Sequence, residues 1–169
     1  MSGVWPVLVE PNKILHQMCE EIALGDKDAV GIGNEMTRTL KSYKNGGVGL
    51  AAPQVGILKR IILVRLPRLI GGYGEPTVFI NPKILSFSND MVVAEEGCLS
   101  IPDTFLKIAR HKTISLEYID IHGKKHTETL SDYGARIVQH EVDHLNGILI
   151  TDRFEQQKFQ FASQDFEMM

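Results

Sequence analysis

The chain has 169 residues, 43% of them hydrophobic and 23% charged, proportions that suit one globular domain with a real core. A formal net charge of −3 gives no general attraction to nucleic acid or anionic membrane, and two cysteines argue against a disulfide framework and for a reducing compartment. The opening MSGVWPVLVEPN has neither a basic leader nor a long apolar run, so no signal peptide or membrane anchor is expected.

In chain order, a first helix is expected over residues 12–20. A second covers 28–43, where Ala29, Ile32, Met36, Leu40 and Tyr43 form an apolar stripe that Gly31 and Gly33 weaken. Asn45-Gly46-Gly47 ends it as a turn. Strand-like stretches follow at 60–66, 78–80, 91–95, 113–121 and 125–130, with 71–74 and 86–90 as surface loops. His122-Gly123-Lys124 reads as a hairpin turn. Asp132 is placed to cap a last helix with Ala135, Val138, Val142 and Leu145 as its apolar positions, and Gly147 to end it. No further helix is evident beyond that point. Strands clustered between helices at the two ends imply an α+β fold: mostly antiparallel β-sheets around the C-terminal helix, with helices near the N-terminus.

That last helix carries His140-Glu141-Val142-Asp143-His144, an HExxH motif. Two histidines four residues apart on a helix differ by about 40° around the axis, so both rings leave one face a turn apart. They can share one metal ion, with Glu141 beside them as a general base toward water. The third ligand then separates the possible chemistries. Ile150 stands where a metzincin-type HExxHxxGxxH would have its last histidine, although Gly147 is in place. Asp152, Glu155 and Glu167 could supply a thermolysin-like carboxylate only on a helix that the sequence does not announce. The best remaining donor is Cys98, in the polar stretch Glu96-Gly97-Cys98-Leu99-Ser100. A thiolate with two imidazoles leaves a fourth position open. His16, His111, His122 and His126 have no partnered spacing and are not expected as ligands.

Three segments in one order, Gly47-Val48-Gly49-Leu50-Ala51-Ala52-Pro53-Gln54, Glu96-Gly97-Cys98-Leu99-Ser100 and Gln139-His140-Glu141-Val142-Asp143-His144, make the chain resemble the peptide deformylase family. The resemblance spans about residues 6–153 of a chain read as one catalytic domain over 1–169, and leaves 154–169 as a divergent tail. It implies a hydrolase that removes the formyl group from N-formylmethionyl nascent polypeptides. It further implies Cys98, His140 and His144 as metal ligands, with ferrous iron as the expected ion and nickel, cobalt or zinc as substitutes. By the same resemblance Glu141, the Gln54 side chain and the Leu99 backbone N–H are catalytic. Gly47, Val48, Gly49, Glu96, Gly97, Arg136 and Ile137 then bind substrate: Val48 and Gly97 pair with the peptide backbone, small residues admit it, and Val48, the Arg136 stem, Ile137 and His140 receive the methionine.

Two departures qualify this reading. Phe105 stands where many members carry an arginine, and of a following proline-arginine pair only Arg110 remains, which the family pattern would set against Asp143. The tail sets Lys158 against Glu155, Asp165 and Glu167, so ribosome association through a basic tail is expected to be weak or absent. Its Phe159, Phe161, Phe166 and two methionines fit packing on its own domain or a partner, and a frayed end fits equally. A monomer away from membranes is expected, cytoplasmic, or organellar if a transit peptide has been removed. A zinc-dependent HExxH peptidase and a catalytically silent metal-stabilised module are the competing readings.

Overall fold

Ile61, Ile62, Leu63 and Val64 are buried on both faces, which explains why this short run lacks the polar alternation of a surface strand. They form β2 (Ile61–Val64), second in a five-stranded antiparallel sheet. The others are β1 (Gly49–Ala51), β3 (Thr77–Phe87), β6 (Thr113–Ile119) and β7 (Lys125–Ser131), in the order β1-β2-β3-β6-β7. β4 (Met91–Cys98) and β5 (Ile101–His111) make a separate two-stranded antiparallel sheet. The helices are α1 (Asp28–Lys41), α2 (Asp132–Leu145) and α3 (Ile150–Glu167). This computed structural model describes residues 3–44 and 47–167, with the side chains of 161–167 set aside. The expected turn at Asn45 and Gly46 lies outside those residues, as do the side chains of Phe161 and Phe166 and both terminal methionines.

Alternation along β2 sends side chains to two cores. Ile61 and Leu63 join Leu50, Val78 and Ile80 under Ala29, Met36 and Leu40 of α1. Ile62 and Val64 join Phe79, Ile114, Leu116 and Tyr118 under Ala135, Ile137, Val138, Val142 and Leu145 of α2. The expected α+β class is therefore observed. Among the described residues no helix is long and apolar enough to cross a membrane.

Several local expectations are corrected. Over residues 12–20 only a 3₁₀ turn forms (Lys13–His16), capped by the Asn12 side chain accepting from Ile14 N at 3.0 Å. The helix cannot propagate, because Cys19 N–H donates to Leu145 O and Glu20 N–H to Leu58 O. Ser131, not Asp132, is the N-cap of α2. β5 is a strand that the sequence pattern does not announce, and β3 runs into the expected 86–90 loop. The helix judged absent beyond Gly147 is α3, started by Asp152 Oδ2 accepting from Leu149 N at 2.8 Å. Among its described residues, Arg153 and Gln157 tie it down through polar bonds that periodicity does not reveal.

Candidate metal centre and active site

α2 delivers the two histidines of its HExxH segment, with ring centroids 5.1 Å apart. Its apolar residues face the core, which turns His140 and Glu141 toward a cleft of about 650 Å³. Cys98 arrives from the end of β4, where the ladder shifts register after Gly97. Its Sγ lies 3.4 Å from His144 Nε2, and the donor atoms of Cys98, His140 and His144 all lie within 4.8 Å of one another. Glu141 Oε1 is 4.0 Å from His140 Nε2.

Every residue the sequence reading placed in the site lines this cleft except His144, which sits behind it, 1% exposed. Gln54 lies in a 3₁₀ turn after β1 (Ala52–Val55) and is held at both ends of its amide. Oε1 accepts from Ala51 N at 2.9 Å, while Nε2 donates to Ser100 Oγ at 3.1 Å and points at Cys98 Sγ, 3.7 Å away. Gly97 is crowded: a β-carbon there would stand 2.8 Å from Phe105 Cε1. Tyr43, Tyr73, Phe105 and Tyr133 also line the cleft, an aromatic rim that only their mutual placement reveals.

Glu96 proves to be a buried hub, its oxygens turned into the protein. Arg110 donates to both (2.9 Å each), Arg136 Nη1 to Oε2 (2.6 Å), and His140 Nδ1 lies 2.8 Å from Oε1. Arg136 Nη1 and Nη2 also bond the carbonyls of Ile108 and Val92, so its stem lines the cleft while its charge is spent inside. Arg110 Nη1 meets Asp143 Oδ2 at 2.5 Å, the contact the family pattern implies.

Burial and neighbouring charges set the protonation of these donors. Burial raises the Glu141 carboxyl to about 7, with the His140 charge opposing. Burial also disfavours a charged His140 ring, yet hydrogen bonds to Cys98 and Glu96 and the charge of Glu141 outweigh it and raise its pKa to about 10. Burial lowers His144, helped by the charges of His140 and Arg110. Glu141 Oε2 and His144 Nδ1 are buried without a hydrogen-bond partner among the described residues, each at a cost of about 1–3 kcal/mol. One thiolate and two imidazoles, one ring oriented by a carboxylate, fit a divalent metal. Among the described residues no α3 carboxylate joins them: Asp152 is engaged with Leu149 N, and Glu155 pairs with Lys158 at 3.2 Å, while the Glu167 side chain lies outside those residues.

Comparison with known proteins agrees with this geometry. The family described as Polypeptide deformylase matches residues 4–160. The peptide deformylase of Agrobacterium fabrum is 36% identical over 153 residues, 90% of this chain and 88% of the relative. That of Synechocystis is 38% identical over 144 residues, 85% of this chain and 75% of the relative. Among solved structures, the class I type b peptide deformylase of Acinetobacter baumannii with Met-Ala-Ser bound superposes with a TM-score of 0.82 at 37% identity, covering 90% of this chain and 99% of that one. The Thermotoga maritima peptide deformylase gives 0.80 at 38% identity, covering 90% and 98%. In sequence, in fold and in the convergence of its three motifs on one cleft, this chain belongs to the peptide deformylase family.

Proposed function

We propose a division of labour by which this member of the family removes the formyl group from N-formylmethionyl polypeptides. The bond broken joins the formyl carbon to the methionine nitrogen, and the products are formate and a free α-amine. The observation that carries the assignment is the meeting of Cys98, His140 and His144 donors within 4.8 Å, beside Glu141 in one cleft.

Cys98, His140 and His144 would hold a divalent cation, which would supply Lewis acidity toward the formyl oxygen and lower the pKa of water to about 7. Glu141, with a carboxyl raised to about 7, takes the proton from the attacking water and returns it to the departing nitrogen. The Gln54 amide and the Leu99 N–H donate to the developing oxyanion, each worth about 10²–10³ in rate. Val48 and Gly97 pair with the extended peptide on opposite sides of the cleft. Ile137, Val48, the Arg136 stem and the His140 ring take the methionine side chain, whose burial contributes roughly 1.5–3 kcal/mol. The peptide bound to the Acinetobacter relative begins with methionine, which supports this pocket.

Ferrous iron is the ion we assign, with nickel, cobalt or zinc able to replace it. Protein purified without oxygen and loaded with Fe²⁺ should release formate from N-formyl-Met-Ala-Ser, and lose activity in air as iron and the Cys98 thiolate oxidise. An intact formyl peptide after incubation with the loaded protein would overturn the assignment. The protein is taken as a cytoplasmic monomer of one domain. Ribosome binding should be weak at any salt, because Lys158, alone among three acids in 155–167, is itself paired with Glu155. Co-sedimentation that is tight, salt-sensitive and lost on deletion after Gln157 would contradict that.

A further inference from the structure

We infer that Arg153, on the helix beyond the HExxH segment, is a positioning residue for the metal ligand His140. Its guanidinium grips Asp143 with two bonds, Nε to Oδ2 at 2.9 Å and Nη2 to Oδ1 at 2.6 Å. Asp143 shares Oδ2 with Arg110 Nη1. Arg110 in turn places its fork on both oxygens of Glu96, and Glu96 Oε1 meets His140 Nδ1. Five side chains thus connect α3 to a ligand ring through charge-assisted bonds. Asp143, Arg110 and Glu96 are each under 8% exposed. In that low-dielectric setting each bond is short, directional and sensitive to its neighbour.

Two arginines compete for Asp143, and the competition gives Arg153 its role. With Arg153 present, Asp143 has a partner besides Arg110, and the Arg110 fork stays aligned with Glu96. Without it, Asp143 is left to Arg110 alone, which draws that guanidinium away from Glu96 and frees the His140 ring to rotate. Gln157, one turn along α3, makes a separate tie that shares no bond with this series. Its Oε1 accepts from Ala109 N at 2.6 Å, and its Nε2 donates to Lys107 O at 3.0 Å, both on the β5 backbone.

The inference rests on Cys98, His140 and His144 being the ligands, and cobalt-loaded protein tests both. Arg153→Met and Arg153→Lys should shift the cobalt absorption bands and release cobalt to a chelator about 10-fold faster, the lower end of effects from residues behind a ligand. Lysine cannot reproduce the two-bond fork and should rescue little. kcat should fall with KM unchanged. Gln157→Ala removes only the strand tie, and should lower Tm with bands and release rate unchanged. If both Arg153 variants keep the native bands and rate, Arg153 is merely structural and the inference fails. The same holds if Gln157→Ala speeds release as much as they do. If the unaltered protein takes up no stoichiometric cobalt, or Cys98→Ala retains it unchanged, the ligand assignment itself fails.

Discussion

The carboxylate of Glu141 occupies the space that a side chain at residue 49 would need. A β-carbon built on Gly49 would stand 2.9 Å from Glu141 Cδ and 3.0 Å from its Cγ, and would also press on Oε1. The absent side chain therefore makes room for the proposed base, a tighter requirement than easing the approach of a peptide backbone. Gly49→Ala should push Glu141 out of line and lower kcat on formyl-methionyl peptide by roughly 10²-fold, with bound metal unchanged. A normal kcat would show that the carboxylate can shift without consequence.

Removing the proposed base and removing a proposed ligand should have different signatures. Glu141→Ala is expected to keep stoichiometric metal and lose turnover by about 10²–10⁴-fold. Its Tm should hold or rise, because the group removed is a buried carboxylate with an unpartnered oxygen. His140→Ala should lose metal and turnover together. Metal analysis beside formate assays separates the two, and near-normal hydrolysis by Glu141→Ala would refute the general-base role.

The two cysteines should differ sharply in reactivity. Burial raises the Cys19 thiol to about 11, with the Arg60 charge opposing, and the residue is 4% exposed. Cys98 is half-buried and lines the cleft. In chelator-treated native protein, iodoacetamide should label Cys98 and leave Cys19 until denaturant is added. Reloading metal before labelling should protect Cys98. Peptide mass spectrometry reads both sites, and equal labelling of Cys19 would count against this environment.

Acid should loosen the β6–β7 hairpin through Asp120. Its carboxylate lies 2.6 Å from His126 Nε2 and accepts from His122 N at 2.8 Å and Lys124 N at 3.0 Å. The hydrogen bond to His126, with those backbone donors, lowers its pKa to about 2. A depressed carboxylate stabilises the fold above its ordinary range of about 4, and that contribution disappears as pH falls toward 2. Asp120→Asn should lower Tm at pH 7, and the gap should close as both proteins approach pH 2. A gap that persisted there would mean the charge of Asp120 is not what holds the turn.

What was legible in the sequence is what local spacing encodes. His140 and His144 share a helix face whatever packs around them, and Cys98 and Gln54 stand in short runs whose order marks the family. The two-core burial of β2 left a continuous apolar run, so its strand was found too. Arg153 and Gln157 were invisible because their partners, Asp143 and the β5 backbone, are reached only after folding. The motif around Glu96 points to substrate, whereas its engagement by Arg110, Arg136 and His140 depends on strand and helix meeting. The first helix failed for the converse reason: its amides were claimed by Leu145 and Leu58, distant in sequence.

The amide of Gln157 imitates a short piece of neighbouring strand, accepting from one β5 residue and donating to another two positions away. Unpaired strand edges recruit other chains, and natural proteins blunt them with side chains or covering helices. One glutamine thus guards a stretch of β5 against intermolecular pairing. A chain ending just before it would leave that stretch open, and its first failing would be self-association at high concentration rather than slow chemistry.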